Sequence, residues 1–372
     1  MSIADAFASF PRAPGELAAV VPPTELVLAP GDVEETAAIL ETASDLRARV
    51  LVWGGGTHQG IGHRVEPDVV ISTAALDRIV AWEPDDLTLV VEGGVTVAAV
   101  EAMLAERGQT AALPEWGGPA TVGGVVAAAI SGYRRHRYGP TRDRLLEATI
   151  VTGDGRVVRG GGRVVKNVTG YDIPRLVAGS FGSLGVIVSV CFKLWPLAER
   201  RATVTVDDAE RALQTLFRPV AVLETRDGVS VYLAGTEAEV QSEAERVDGV
   251  ATEGFAWPDP PQGETVWSLR VPPALVSEGI GRLPADWVFV AEHGVGHLRC
   301  AGRFDAAAVA ELRGWAEEAG GALVLEHAED QSVYERLDPW GTPPSGMALQ
   351  RRLMAAFDPA HILAPGRLPG GR

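Results

Sequence analysis

Three glycine-rich segments place the tightest limits on how this chain can fold. WGGGT (53–57) ends an apolar run, TVGGVVAAA (121–129) opens a small-residue stretch, and GSFGSLG (179–185) precedes the apolar VIVSVCF. Glycine turns leave backbone N–H groups free to bind an anion, and a helix start adds the positive end of its dipole. The pattern predicts a phosphate-bearing ligand, although a tight turn or close packing would explain each segment alone.

The common nucleotide-binding motifs are missing from these segments. No glycine pair continues as G-x-G-x-x-G, and no segment reads G-x-x-x-x-G-K. These two patterns mark the dinucleotide-binding turn of nicotinamide enzymes and the phosphate loop of NTPases. The sequence therefore disfavours both classes and leaves a different phosphate-bearing cofactor.

The order of strand and helix patterns divides the chain into regions. Residues 24–80 predict a β-α-β unit, with Asp32 as helix N-cap, and residues 82–158 predict a second strand-and-helix unit that ends in a hairpin. After about residue 200 glycine loops thin out, and strand patterns alternate with helix candidates at 236–247 and 305–319. We expect a first domain over 1–198 (subdomains about 22–80 and 81–198), a second over 199–345 and a returning C-terminal segment, 346–372. No internal sequence repeat is evident.

Composition narrows the function classes. The 372 residues carry a net charge of −16, which disfavours nucleic acid and anionic membrane surfaces as partners. Cys191 and Cys300 lie too far apart in sequence for a metal knuckle, and no disulfide framework is expected. The N-terminus shows no secretory leader, and no run of about 18 apolar residues predicts a membrane span. A cytoplasmic protein is expected, associated with a membrane only through a complex.

Lysine usage singles out one further segment. Only two lysines, Lys166 and Lys193, stand among 33 basic residues. Lys166 lies in GGGRVVKNVTGYD (160–172), and a compact ammonium suits a crowded site where a planar guanidinium does not fit. We predict that Lys166 and Tyr171 lie at the cofactor or hold its loop, with Asp172 as an ion partner for Lys166 or a nearby arginine. The alternative is an ordinary surface lysine.

Motifs along the chain carry a family resemblance. In order they are GGGT (54–57), TVGG with ISG (121–132), YGPTRD (138–143), VKNVTGYDIPRLVAGSFGSLGVI (165–187) and FDPAHILAPGR (357–367). Together they resemble the FAD-binding superfamily of the vanillyl-alcohol oxidase (PCMH) type, and within it the FAD-binding subunits of bacterial glycolate oxidases. The resemblance is good over residues 22–197, moderate over 347–367 and loose in between.

The resemblance implies an α+β fold, in which two α/β subdomains clamp FAD and a smaller α+β cap domain covers its ring. It places the pyrophosphate at the GGGT loop and further contacts at the other motifs. The residues it implies for the cofactor, together with the two from the lysine argument, are Gly54, Gly55, Gly56, Thr57, His58, Thr121, Gly123, Gly124, Ser131, Gly132, Tyr138, Arg142, Lys166, Tyr171, Gly185, Val186, Ile187 and Arg367. Thr57, not His58, aligns with the histidine that attaches FAD covalently in some relatives, so non-covalent FAD is expected.

Candidate substrate and metal residues are fewer. Arg134, in the basic run YRRHRY, could hold the carboxylate of a small 2-hydroxy acid, or the run could be a solvated loop or a docking site for a partner. His293 and His297 have the i, i+4 spacing of helical metal ligands. Gly294 and Gly296 argue against a helix there, so no metal is expected. His327 gives no stronger signal.

The expected function is that of an FAD-dependent oxidoreductase subunit, similar to glycolate oxidase, that converts a small 2-hydroxy acid such as glycolate to its 2-oxo acid. The resemblance implies a second flavoprotein subunit and an iron–sulfur subunit as partners. No catalytic residue can be named from the sequence. One alternative is a self-sufficient FAD enzyme for another hydroxy acid or alcohol, and the other is a non-catalytic flavin-binding assembly or electron-relay subunit.

Overall fold

A computed structural model describes residues 2–13, 24, 26–115, 118–164 and 170–371. Its helices are α1 Ile3–Ala6, α2 Val33–Leu46, α3 Val97–Ala105, α4 Val122–Ala127, α5 Arg135–Tyr138, α6 Thr141–Arg144, α7 Ile173–Val177, α8 Ala209–Thr215, α9 Glu237–Arg246, α10 Val276–Arg282, α11 Ala306–Glu318, α12 Val333–Arg336 and α13 Met347–Phe357. Its strands are β1 Val27–Leu28, β2 Val50–Trp53, β3 Val69–Ser72, β4 Ile79–Glu83, β5 Thr88–Glu92, β6 Gln109–Thr110, β7 Leu145–Val151, β8 Val157–Gly161, β9 Val186–Lys193, β10 Trp195–Pro196, β11 Arg200–Val206, β12 Ala221–Thr225, β13 Gly228–Gly235, β14 Ala251–Glu253, β15 Thr265–Arg270, β16 Val288–Glu292, β17 His297–Gly302 and β18 Ala322–Ala328.

A small parallel sheet forms the first unit, with strand order β1-β3-β2. Helix α2 begins where the Asp32 side chain accepts from the N–H of Glu35, as the sequence predicts, and it buries Ile39 and Leu40. The C-terminal segment returns here, because Leu363 pairs with Val50 beside β2. The glycine loop 54–57 therefore starts at the carboxyl end of a buried strand.

A five-stranded sheet forms the second unit, in the order β4-β5-β9-β7-β8. Strands β7 and β8 make the predicted hairpin, and α4 packs on the sheet through Val122, Val125 and Val126. The segment 178–185 before β9 is turn and coil. Helix α7 ends at Val177, and Gly179, Phe181 and Gly182 have positive φ angles that no helix contains.

Strands β11 to β18 form one eight-stranded antiparallel sheet built from two similar halves, and we call this sheet with its helices the cap. Its order is β14-β11-β13-β12-β16-β17-β15-β18. Each half runs β-α-β-β-α-β, and within each half the strands lie in the order fourth, first, third, second, as in ferredoxin-like units. The strand order of the second half is the reverse of that of the first, and the two halves meet where β12 pairs with β16. The structure thus contains a duplication that the sequence does not display, because the two halves have the same topology but differ in their residues.

The two halves use the same face of the sheet differently. Helices cover one face, over cores that include Val204 and Val231 in the first half and Trp267 and Leu298 in the second. On the other face the first half carries an apolar cluster around Tyr232, which stacks on Trp257 at 4.1 Å. The second half carries polar side chains on that face. No helix among the described residues is long and apolar enough to cross a membrane.

Candidate functional site

A narrow cavity runs along the three glycine-rich segments. Its wall is made by the loop after β2, the start of α4, the turn before β9 and the C-terminal segment. The lining residues are Val52, Gly54, Gly55, Gly56, Thr57, His58, Gln59, Thr73, Gly123, Gly124, Ala127, Ala128, Phe181, Gly182, Gly185, Ile187 and Arg367. We call this space the glycine groove.

Close backbone approach explains the glycines of the groove. A Cβ on Gly55 would overlap the carbonyl of Pro119, and a Cβ on Gly54 would overlap the hydroxyl of Thr121. Thr121 also caps α4, its Oγ1 accepting from the N–H of Gly124 at 3.2 Å. Within the described part of the chain, the N–H groups of Gly55, Gly56 and Thr57 donate to no acceptor. Free N–H groups beside a helix start are the donor set that a pyrophosphate requires.

Buried polar atoms without partners also face the groove. Thr73 Oγ1 and Arg367 Nε are buried and have no hydrogen-bond partner among the described residues. The Arg367 guanidinium donates to Gln59 Oε1 and to the His58 carbonyl, and burial lowers its pKa to about 10. An orphaned buried polar atom is costly unless a ligand satisfies it. The groove thus fits a large polar cofactor.

His58 stands where the glycine groove meets a second, polar space. Its Nδ1 lies 2.9 Å from the Thr57 hydroxyl, and its ring lines both spaces. Burial lowers its pKa to about 4, so the imidazole is neutral at ordinary pH.

The two units that contain β1 to β10 carry the glycine-rich segments, and we call them together the glycine-loop domain. The polar cavity lies between this domain and the second half of the cap. Ser131, Gly132 and Arg135 line one side, and the facing cap residues are Ser268, Arg270, Glu292, His297, Arg299 and Glu326. A wider space of about 360 Å³ adjoins it and shares Ser268, Arg270 and Glu326 with it. This adjoining space is bounded by Phe181, Trp340 and the apolar side of α13, including Leu353.

Sheet register assembles the polar cavity. Arg270 pairs with His297 across β15 and β17, and Ser268 pairs with Arg299. Trp267, Leu269, Leu298 and Cys300 alternate with these residues and are buried under the helices. Because strand side chains alternate between faces, every second residue points into the cavity.

One hydrogen-bonded histidine–carboxylate pair and one ion pair order the cavity wall. His297 Nδ1 lies 2.5 Å from Glu292 Oε1, and its Nε2 lies 3.0 Å from the Ser268 hydroxyl. A ring nitrogen beside a carboxylate carries the proton, so Nε2 is the nitrogen able to accept one. Arg299 Nε donates to Glu326 at 2.7 Å.

Two arginines of the cavity remain free. Arg135 and Arg270 form no side-chain hydrogen bond or ion pair with any described residue. Much of the Arg270 side-chain surface is open to the cavity, yet the protein surrounds that cavity and lowers the pKa of Arg270 by desolvation. A guanidinium in this position is ready to bind an anion.

Most residues predicted from the glycine motifs converge. Gly54, Gly55, Gly56, Thr57, His58, Gly123, Gly124, Gly185, Ile187 and Arg367 line the glycine groove, and Ser131 and Gly132 line the polar cavity. Thr121 lies directly behind Gly54.

Other predicted residues lie elsewhere. Val186 is buried in the core of the parallel sheet, and Tyr138 packs edge-on against Trp195 at 5.3 Å. Arg142 is exposed and pairs with Asp143 at 3.7 Å. Tyr171 is 88% exposed. These side chains do not reach either cavity, because their backbone directions turn them to solvent or core.

The lysine prediction falls partly outside the described residues. Lys166 lies among residues 165–169, which the structure does not describe. Asp172 caps α7 and pairs with Arg175 at 3.3 Å, so it has an arginine partner of the kind expected.

Arg134, which the sequence suggests as a ligand of the substrate carboxylate, is bonded inside the protein. Its Nε donates to Glu115 at 2.6 Å and its Nη1 to Thr110 at 3.0 Å, and it also contacts the Leu113 carbonyl. Its side chain is only 15% exposed and lines neither cavity. The neighbouring Arg135 faces the polar cavity instead, because consecutive residues of a helical turn point in different directions.

The two histidines of the cap diverge. His293 Nε2 contacts Glu224 at 2.7 Å across the β12–β16 junction, whereas His297 faces the polar cavity. No group of three or more His, Cys, Asp or Glu side chains in the described ranges is arranged to hold a metal.

Sequence reasoning missed Arg270, Arg299 and Glu326. Each alternates with buried residues in a strand, so the alternation was a signal that these side chains share one face. What the sequence did not supply was the neighbour order of the strands.

Comparisons with known proteins identify sequence relatives of this chain. Residues 24–161 match the family described as FAD binding domain. The glycolate oxidase subunit GlcE of Escherichia coli (strain K12) is 32% identical over 230 residues, covering 56% of this chain and 65% of that protein. The mitochondrial cytochrome-type D-lactate dehydrogenase of Arabidopsis thaliana is 27% identical over 280 residues, covering 66% of this chain and 49% of that protein.

The solved structure of an alkyldihydroxyacetonephosphate synthase shares the fold. It superposes with a TM-score of 0.65 at 14% identity, over 91% of this chain and 75% of that one. The predicted family resemblance, the α+β fold class and FAD as the cofactor are confirmed. The chain spans between about half and two thirds of the lengths of the two sequence relatives.

Proposed function

We propose that this chain is the FAD-binding subunit of an oxidoreductase that converts a small 2-hydroxy acid, such as glycolate, to its 2-oxo acid. The observation that carries the proposal is the junction at His58, where the glycine groove opens into a polar cavity with two free arginines. A cofactor in the groove and an anionic substrate in the cavity would therefore be neighbours.

The glycine groove is the proposed FAD site. The N–H groups of Gly55 to Thr57 and the start of α4 would hold the pyrophosphate, and Thr73 and Arg367 would gain partners for their orphaned atoms. FAD, when bound, supplies the hydride acceptor. We propose non-covalent binding, which is consistent with the position of His58 Nδ1 against the Thr57 hydroxyl.

Arg270 is the proposed anchor for the substrate carboxylate. A guanidinium recognises a carboxylate by two parallel N–H···O bonds. Arg270 faces the cavity without a partner among the described residues, whereas the predicted Arg134 is already bonded to Glu115. The carboxylate site is therefore reassigned to the cap side of the cavity.

His297 is the proposed proton acceptor for the substrate hydroxyl. Glu292 fixes the ring with its proton on Nδ1 and stabilises the charged form that arises when Nε2 takes a proton. Arg270 lies directly opposite His297 on the neighbouring strand, so the carboxylate anchor and the base are adjacent. This constellation favours catalysis in this chain over a purely electron-relay role.

The proposed partners are a second flavoprotein subunit and an iron–sulfur subunit, which would receive the electrons. The similarity to a protein named as a glycolate oxidase subunit supports this part of the proposal. A cytoplasmic location belongs to the same proposal.

The test is anaerobic addition of glycolate or D-lactate to the FAD-loaded chain, followed through the visible absorption of oxidised flavin. We expect the absorption to bleach. Arg270→Met should raise KM by about 10- to 100-fold, the worth of a charged hydrogen bond. His297→Asn should instead lower the rate of bleaching by about 100-fold or more.

Exposed Arg142→Met serves as the control and should change neither value. If flavin stays oxidised with every 2-hydroxy acid, alone and with partner subunits present, the proposed function is wrong. Bleaching that needs the partner subunits would assign the reaction to the complex. A chain that takes up no FAD would remove the basis of the proposal altogether.

A further inference from the structure

We propose that the polar cavity accepts a 2-hydroxy acid with a second carboxylate, and that Arg135 binds this second group. The inference rests on the proposed function and narrows its substrate class. It starts from the two arginines of the cavity that have no side-chain partner among the described residues.

The charged side chains of the cavity wall can be matched in pairs. Arg299 is paired with Glu326 at 2.7 Å, and Glu292 is hydrogen-bonded to His297 at 2.5 Å. His58, with its pKa lowered to about 4 by burial, adds no charge. Arg135 and Arg270 remain as the two guanidiniums of the cavity wall without a side-chain partner among the described residues, so each is available to bind one carboxylate.

The two free guanidiniums come from opposite walls. Arg135 belongs to α5 of the glycine-loop domain and Arg270 to β15 of the cap. They are close enough for Arg135 to contribute to lowering the pKa of Arg270. Like charges facing each other across a cavity are unfavourable unless an anion lies between them. One carboxylate on each wall would satisfy both.

The neighbours of Arg135 hold it in this orientation. Arg134 is bonded to Glu115 inside the glycine-loop domain, His136 Nδ1 contacts the Pro219 carbonyl of the cap at 3.2 Å, and Arg137 donates to the Ala234 carbonyl at 2.6 Å. The backbone of α5 is thus fixed at both sides. Arg135 is the member of this run left free to meet a ligand, which gives the basic run a role in substrate selection.

The experiment compares matched anions that the enzyme cannot oxidise. Binding of malonate, succinate and glutarate, against acetate, propionate and butyrate, is measured by the shift of the visible flavin spectrum of the FAD-loaded chain. We expect at least one dicarboxylate to bind more than tenfold tighter than its matched monocarboxylate. Arg135→Leu should weaken that dicarboxylate by about 10- to 100-fold and the monocarboxylate by less than about twofold.

Arg282→Leu is the matched control, because Arg282 is an exposed arginine of the cap that pairs with Glu278 and lies outside the cavity, so it should leave the preference intact. Turnover of tartronate, malate and 2-hydroxyglutarate in both configurations, against glycolate and lactate, provides the second measurement. The preferred dicarboxylate should lose kcat/KM in Arg135→Leu by the same factor.

Two results would overturn the inference. One is equal weakening of mono- and dicarboxylates by Arg135→Leu, which would mean that both arginines hold a single carboxylate. The other is a preference for monocarboxylates in the unmodified chain. Either result leaves the proposed function standing if glycolate or lactate still bleaches the flavin, whereas no bleaching by any 2-hydroxy acid rejects the proposed function itself.

Discussion

At the scale of the residue, direction matters more than identity. Arg134 and Arg135 are adjacent and chemically the same, yet one is a structural ion-pair partner of Glu115 and the other faces the polar cavity. The sequence locates a basic run, and it cannot say which arginine faces the ligand, because that depends on where a four-residue helix begins. For the same reason the sequence does not reveal that Tyr171 and Arg142 are exposed and face neither cavity.

His58 gives a pH prediction at this scale. Its pKa in the folded chain is about 4, against an ordinary value of 6.5, because burial disfavours the charged ring. The unfolded chain therefore takes up the proton first as pH falls. The stability linked to His58 is complete above pH 6.5 and is lost as pH falls towards 4. We expect the loss to reach about 2 kcal/mol after allowance for partial exposure.

Urea unfolding of the flavin-free chain at several pH values measures this effect. The difference in free energy of unfolding between the unmodified chain and His58→Gln should change over that pH range, with the unmodified chain losing more. A constant difference would show that His58 titrates normally in the folded state.

At the scale of the element, two threonine helix N-caps allow the effect of a substitution on stability to be distinguished from its effect on cofactor binding. Thr121 caps α4 and Thr96 caps α3, each accepting a backbone N–H at 3.2 Å. Thr121→Ala and Thr96→Ala should each cost about 1 kcal/mol of stability. Only Thr121 lies behind the glycine loop at Gly54, so only its removal should weaken FAD binding, by several-fold.

Titration of each flavin-free variant with FAD, alongside its urea unfolding curve, checks this prediction. Equal affinities for FAD in the two variants would contradict the placement of the cofactor at the start of α4. Weakened binding in Thr96→Ala alone would place the cofactor elsewhere.

Local elements were the most predictable part of the fold. Local patterns predict the helix N-caps at Asp32 and Thr96, the hairpin of β7 and β8, and the helices near 237–246 and 306–318. They do so because N-caps and amphipathic helix faces depend on residues that are close in sequence. The turn at 178–185 does not follow from a local pattern, because alanine and leucine in this segment favour a helix by propensity. Positive φ angles at Phe181 and two neighbouring glycines are set by packing that propensity does not record.

At the scale of the whole molecule, the glycine groove joins elements from distant parts of the chain. The loop after β2, the start of α4, the turn before β9 and Arg367 meet there. A ligand that contacts all of them ties the C-terminal segment to both sheets. FAD should therefore stabilise the molecule as a unit, by about 2.7 kcal/mol at a free concentration of 100 times its Kd.

Thermal unfolding with added ligands tests this linkage. FAD should raise the Tm by several degrees in a single transition. Riboflavin, which lacks the pyrophosphate, should raise it little, since the free N–H groups of the loop would remain without an anion. Equal shifts with both ligands would show that the pyrophosphate contributes nothing to binding.

The polar cavity was the least predictable part of the molecule. Arg270 and His297 are cross-strand neighbours, and Ser268 reaches His297 at 3.0 Å, although the strands are separated by a helix and a third strand in sequence. Their meeting depends on the strand order of the duplicated cap. The glycine groove, in contrast, was predictable because each of its glycine-rich segments is recognisable in the sequence by itself.

The junction between the halves of the cap has a mechanical consequence. Strands β12 and β16 pair at only Leu223 with Glu292 and Glu224 with Ala291, and the His293–Glu224 contact lies at the same place. Every other junction between long strands of the cap pairs five or more residues. Load applied across the sheet would open this seam first. The half that carries Arg270 and His297 would then depend on its own contacts with the segment after β2, such as the hydrogen bond from the Tyr334 hydroxyl to the Gly60 carbonyl at 2.8 Å.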